Sequence, residues 1–217
     1  MAIAKFAKRA ANAAGLPAIG LVLIGMMVAT LPAAAAQLVD FSNAAFAQAV
    51  GETSIPIGAV DFCRRYQSEC LPNAKVVEDV HLTPRNWQQL LDVNTYFNTT
   101  VVPETDQQLY GVAEYWTYPH GFGDCEDIAL AKRRQLIQQG WPVSALLMTV
   151  VKDTDGEGHA VLMVRTDRGD MILDNQDSMI RDWKDSPYHF LKRQSQANPG
   201  QWVAIADSRP SLIIAGN

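Results

Sequence analysis

Three residues of the chain have the types and the order that thiol chemistry needs: Cys125, His159 and Asp174. Cys125 sits in Gly121-Phe122-Gly123-Asp124-Cys125-Glu126-Asp127, a stretch that opens an amphipathic helix. At a helix N-terminus the unpaired backbone N–H groups and the positive end of the dipole favour an anion, so a thiol there is expected to be more acidic than a free cysteine. Three flanking carboxylates, Asp124, Glu126 and Asp127, work against that. A thiol nucleophile also needs a base. His159 opens the strand His159-Ala160-Val161-Leu162-Met163-Val164, and Asp174 closes Met171-Ile172-Leu173-Asp174, with a turn around Asp167 to Gly169 between them. Folding that hairpin brings His159 and Asp174 to one end of a sheet, where the carboxylate fixes the imidazole tautomer and stabilises the imidazolium. His120 competes for the role of base but lies in the turn before the helix, without a carboxylate partner on a strand. Trp116 offers an indole N–H that, together with the Cys125 backbone N–H, would hold an oxyanion; the plainer account is a core tryptophan.

The elements that must position these residues divide into a helical first half and a strand-rich second half, an α+β chain. Thr83-Pro84 reads as a cap and first helical position, followed by Trp87, Leu90, Leu91, Asn94, Phe97 and Val101 at helical spacing. Asn94 falls on that apolar face, so its amide must find partners there. Leu109, Val112 and Trp116 make a second, shorter helical stripe ending near Pro119. The Cys125 helix runs to about Gln139, with Ile128, Ala129, Leu136 and Ile137 buried and Lys132, Arg133 and Gln138 outside, and Gly140 and Pro142 stop it. Four short β-branched runs follow, at 143–151, 159–165, 170–173 and 202–206, and read as neighbouring antiparallel strands. Stretches 38–56 and 194–200 read as a loose lead and a loop. There is no internal repeat and no sign of a second domain.

Composition sets the surroundings of the thiol. Lys5, Lys8 and Arg9, an apolar run from Gly15 to Leu31 and Ala34-Ala35-Ala36 resemble a secretory signal, so residues 1–36 are expected to be removed and 37–217 to form one domain. A second cleavage site is Ala45-Phe46-Ala47, and an uncleaved membrane anchor is the alternative. Removing 1–36 takes three of the 18 basic side chains and none of the 23 acidic ones, leaving a net charge of −8. An acidic chain without a basic run gives no footprint for nucleic acid. Cys63 and Cys70 are seven apart, close enough to bridge in an oxidising compartment, two reduced cysteines being the alternative. Cys125 is then left free.

With these motifs in place the chain resembles the bacterial transglutaminase-like cysteine proteinases, periplasmic members of the papain and transglutaminase superfamily. Four stretches carry the resemblance: Cys63 to Cys70; Val93-Asn94 through Asn98; Tyr115-Trp116 with Pro119 and Gly123-Asp124-Cys125-Glu126-Asp127; and His159-Ala160-Val161-Leu162 with Leu173-Asp174-Asn175. The resemblance implies a papain/transglutaminase-like fold, with the nucleophile helix packed on an antiparallel sheet. It implies Cys125 as nucleophile, His159 as base and then acid, and Asp174 as its orienting partner. It also implies calcium held by Asp124, Glu126 and Asp127, a large surface adhesin as the protein substrate in biofilm control, and an inner-membrane cyclic di-GMP receptor as partner. Glu114 stands where the family tends to have Asp.

Calcium has a physical rationale besides the resemblance, since a hard cation would relieve repulsion among three crowded carboxylates. The metal-free account has Asp124 capping the helix while Glu126 and Asp127 favour its positive end. Three readings of function follow: a periplasmic cysteine endopeptidase, a transglutaminase or amidase acting on cell-wall peptides, and a catalytically idle receptor-binding module.

Overall fold

The structure is a computed structural model and describes residues 44–209. The expected export signal, 1–36, lies outside the described residues. No helix among the described residues is long and apolar enough to cross a membrane.

Helix α1 (Ile57–Arg65) runs into a 3-10 turn (Gln67–Cys70), and Cys63 is disulfide-bonded to Cys70 across that junction with Cα atoms 5.7 Å apart. In the chain-entropy model a loop of this length is worth roughly 2.5 kcal/mol. Helix α2 (Pro84–Thr100) starts where the sequence places it: Thr83 and Asn86 form a reciprocal capping box and Pro84 takes the first helical position. Its buried face is Leu90, Val93 and Asn94. The second stripe is cut short. Helix α3 (Asp106–Tyr110) ends at Gly111, whose φ of 72° is a left-handed cap, so Val112 and Trp116 are not helical. A glycine able to take positive φ overrode a three-residue apolar spacing.

Helix α4 (Cys125–Gln138) forms as expected, but its buried face is wider than the sequence indicates. Lys132 is 0% exposed and Arg133 2% exposed, although both were expected outside. Each ammonium or guanidinium found a partner in the interior: Lys132 Nζ donates to Asn94 Oδ1 at 2.8 Å, and Arg133 donates to the Leu146 carbonyl at 3.1 Å and to Glu69 at 3.0 Å. Asn94 thus has the amide partners that its place on an apolar face requires, since its Nδ2 also donates to the Ser178 carbonyl.

A seven-stranded antiparallel sheet supports these helices. Its strands are β1 (Ala49–Thr53), β4 (Leu146–Lys152), β5 (Gly158–Thr166), β6 (Gly169–Leu173), β7 (Arg181–Asp182), β8 (His189–Gln194) and β9 (Trp202–Ile205), in the order β1-β9-β8-β4-β5-β6-β7. A separate parallel pair, β2 (Val102–Pro103) with β3 (Phe122–Gly123), ties the end of α2 to the start of α4. Period-2 alternation splits the core by face. Leu146, Met148, Leu162, Val164, Met171 and Leu173 pack towards α2 and α4, and Leu147, Val151, Val161, Met163, Ile172 and Phe190 form a second cluster. The lead expected to be loose carries β1, paired with β9, and β8 was not foreseen. In β8 the charged Lys192 and Arg193 mask the strand pattern, although Arg193 is buried.

Candidate active site

The β5–β6 register aligns Leu162 with Leu173, so Asp174 follows opposite Val161 and His159 lies two residues further along its strand. The side chains meet: His159 Nε2 and Asp174 Oδ1 are 2.8 Å apart, both residues being buried. Asp174 Oδ1 also accepts the Gln176 backbone N–H at 3.0 Å, and Asp174 Oδ2 accepts the Tyr188 hydroxyl at 2.5 Å. Asn98 of α2 donates to the Asp174 carbonyl at 2.7 Å. Accepted hydrogen bonds, led by that from His159, hold the Asp174 carboxyl below its ordinary range in spite of burial. Bonding of Nε2 to the carboxylate leaves Nδ1 as the accepting ring nitrogen, which takes a long hydrogen bond of 3.4 Å from Gln176 Nε2.

Cys125 comes from α4 and meets the same strand. Its Sγ accepts the Ala160 backbone N–H at 3.4 Å, one residue from His159, and donates to Glu126 Oε2 at 3.2 Å. Cys125 is the first residue of α4, so its N–H is outside the helical ladder. Cys125 and His159 share a cleft of about 460 Å³ with Ile57, Glu114, Trp116 and Val150 in its wall. Burial pushes the Cys125 thiol well up, and the nearby charges of Glu126 and Asp124 push the same way, while the Ala160 N–H opposes them. The helix-end acidity expected of Cys125 is therefore outweighed, by burial first and by the neighbouring carboxylates second.

The acidic residues divide differently from the expected set. One oxygen each of Asp106, Asp124 and Glu126 lies within 4.8 Å of the others, and this is a group able to hold a metal ion. Asp124 does not cap α4 with its side chain; its Oδ2 accepts the Asp106 N–H at 3.3 Å instead. Asp127 is outside that trio. Its Oδ1 accepts the Thr117 N–H at 2.7 Å, and a Cβ on Gly123 would lie 2.8 Å from its Oδ2, so it holds down the strand before the helix. Asp106, 1% exposed, was missed: it stands 18 residues before Asp124 in a different helix, and no spacing connects them. Its Oδ2 accepts the Tyr115 N–H. The donor set fits a hard cation, because Asp106 Oδ1 and Asp124 Oδ1 are buried oxygens without a hydrogen-bond partner. Crowding shows in their protonation: burial, then the Asp124 charge, pushes Glu126 up to about 9, and burial raises Asp106 and Asp124 as well.

Trp116 lines the cleft, but its indole N–H is donated to Glu114 Oε2 at 3.1 Å, so as placed it is not a free oxyanion donor. A Cβ on Gly58 would lie 2.2 Å from the Trp116 ring, which shows how closely α1 backs that wall. His120 has no hydrogen bond to Cys125, His159 or Asp174 among the described residues.

No protein of curated function matches the chain. Among solved structures, Legionella pneumophila LapG in EGTA-treated form is 29% identical, covering 59% of this chain and 74% of that one, with a TM-score of 0.46. The same protein in calcium-bound form is 24% identical, covering 71% and 91%, with a TM-score of 0.48. The model of the bacterial transglutaminase-like cysteine proteinases, BTLCP, matches residues 49–210, which takes in both sheet ends, α4 and every side chain of the cleft described above. The chain therefore belongs to the bacterial transglutaminase-like cysteine proteinase family.

Proposed function

We propose that this proteinase is a periplasmic endopeptidase that cleaves a large surface adhesin through Cys125, His159 and Asp174, with calcium at Asp106, Asp124 and Glu126. One observation carries the reading: within the span matched by the family, Cys125 and His159 line one cleft, the Ala160 N–H beside His159 reaches Cys125 Sγ, and the buried Asp174 carboxylate is hydrogen-bonded to the imidazole. Cys125 Sγ attacks the scissile carbonyl, His159 Nδ1 passes its proton to the leaving amine, and a water deprotonated by His159 hydrolyses the thioester. The Cys125 backbone N–H faces the developing oxyanion. Bound calcium supplies positive charge beside the thiol. Asp106, Asp124 and Glu126 would hold it, and with their charge compensated the helix N-terminus and imidazolium favour the thiolate. LapG of Legionella pneumophila has been solved calcium-bound and EGTA-treated, which is in keeping with that choice of cation.

The export reading belongs to the same proposal. A signal in residues 1–36 would take the chain to an oxidising compartment, and the Cys63–Cys70 bridge supports that reading, because such bonds persist there. There it meets its substrate and, as the family resemblance suggested, an inner-membrane cyclic di-GMP receptor. The test is incubation of the mature protein with the purified N-terminal region of a large adhesin from the same cell, with calcium or with excess chelator. One discrete cut with calcium and none with chelator is expected. An intact adhesin after prolonged incubation with calcium rejects the assigned substrate, and equal cutting in chelator rejects the metal.

A further inference from the structure

Tyr188 lies in the turn before β8, 14 residues beyond Asp174, in a stretch that no part of the motif pattern reaches. It touches both members of the His159–Asp174 pair. Its hydroxyl donates to Asp174 Oδ2 at 2.5 Å, and its ring meets the His159 imidazole edge-on, with centroids 5.3 Å apart and planes at 71°. The residue is 8% exposed and its ring belongs to the apolar cluster of Val151, Val161 and Phe190.

We propose that Tyr188 is a positioning residue that locks the Asp174 carboxylate and the His159 ring in their mutual orientation and sets how strongly the pair holds a proton. This rests on the reading of Cys125, His159 and Asp174 as a catalytic set. The carboxylate has three hydrogen bonds of different origin. Oδ1 takes His159 Nε2 and the Gln176 N–H, and Oδ2 takes the phenol. A carboxylate fixed at one oxygen alone can rotate about its Cβ–Cγ bond. Fixed at both, it keeps Oδ1 in line with Nε2. A buried carboxylate oxygen that loses its donor is also costly, and its charge is then concentrated on the remaining acceptor geometry.

The direction of the effect follows from the charge. The phenol draws negative charge towards Oδ2, so Oδ1 is a weaker acceptor for the imidazolium than an unshared carboxylate. Removing the hydroxyl therefore makes Asp174 hold His159 in its charged form more strongly, and strengthening the phenol as a donor does the reverse. The other ionisable groups facing the pair are Cys125 and Lys132 from α4, Asp177 from the loop after β6 and Asp153 from the turn after β4. Cys125 is replaced by alanine alike in every protein compared below, and the other three stay unchanged. Burial and the Asp174 charge drive the Tyr188 phenol far above its ordinary value, so it stays a donor throughout.

The experiment follows the His159 ring by NMR titration in a Cys125→Ala background in excess chelator, comparing Tyr188, Tyr188→Phe and Tyr188 replaced by 3-fluorotyrosine, a more acidic phenol. The His159 midpoint should rise by about 0.5–1 unit in Y188F and fall in the fluorinated protein. Midpoints within about 0.2 unit of one another, or shifts of the same sign in both variants, would overturn the proposal. Should Y188F not fold, the fluorotyrosine arm decides alone, since it keeps the ring and its packing. With active protein, Y188F should lower kcat while leaving KM within about twofold, since the hydroxyl is buried and donated to Asp174. The NMR shifts do not depend on hydrolysis. Shifts of opposite sign, together with a Cys125-bearing protein that cuts nothing, would thus keep the positioning role while rejecting Cys125, His159 and Asp174 as a catalytic set.

Discussion

The side chains of this site are few, and their partners explain which of them the sequence revealed. Cys125, His159 and Asp174 were legible because helix-end chemistry and hairpin parity are local properties of the chain. Asp106 and Tyr188 were not, because each reaches the site from an element whose own sequence carries no mark of it. Lys132 shows the same limit in the interior. A lysine on a helix reads as surface, yet α2 supplies Asn94 to accept its ammonium, 0% exposed. Burial lowers Lys132 from 10.5 to about 7, with the Asp174 charge opposing. Between those two values the unfolded chain holds a proton that the folded one has released, so this lysine makes stability rise as pH rises from about 7 to 10.5. Below about 7 both states are charged and the full cost of the buried ammonium is present. Lys132→Met removes the term. Thermal melts at pH 7 and pH 9.5 should show a Tm gain for wild type over the variant at the higher pH relative to the lower, whereas a constant difference would mean that Lys132 does not titrate between them.

Among the elements, those with a strong period and a stop signal formed as read: α2 with its Thr83–Pro84 start, α4, and the β4, β5, β6 and β9 strands. The failures share a cause. Helix α3 stops at Gly111 because one backbone conformation outweighs three apolar residues, and β1 and β8 exist because neighbouring strands offer them a ladder. The lead into β1 is fixed in a way its small residues conceal. The Ala47 N–H donates to Asp170 Oδ2 at 2.8 Å, the Asp170 N–H donates to the Ala45 carbonyl, and the Phe46 ring lies 5.1 Å from the Arg165 guanidinium. Asp170 is 0% exposed, and its carboxylate without Ala47 would lose a donor worth about 1.5–3 kcal/mol. A chain beginning at Gln48 should therefore melt about 5 °C or more below one beginning at Gln37. Equal Tm values would show that residues 45–47 do not hold the sheet.

As a whole the molecule is a scaffold that brings chemistry together from three directions: α4 brings the thiol, the β5–β6 sheet end brings the imidazole and the carboxylate bonded to it, and α3 brings a carboxylate beside Asp124 and Glu126. Its acidic balance, 23 acidic against 18 basic residues, does not set this arrangement; the topology does. The α+β class and the location of the thiol on a helix against antiparallel strands were readable from the order of periods along the chain. The seven-strand order, with β4 in the middle, was not, because register between distant strands is a property of the assembled core. Everything proposed about activity depends on Cys125 as the attacking atom. The decisive measurement sets Cys125→Ala beside wild type on the same adhesin fragment at saturating calcium, with thermal melts to show that both are folded. Wild type should produce the discrete cut and Cys125→Ala none, a loss of at least about 10³-fold. A folded Cys125→Ala protein that cuts at a rate near wild type would contradict the assignment of Cys125 as nucleophile.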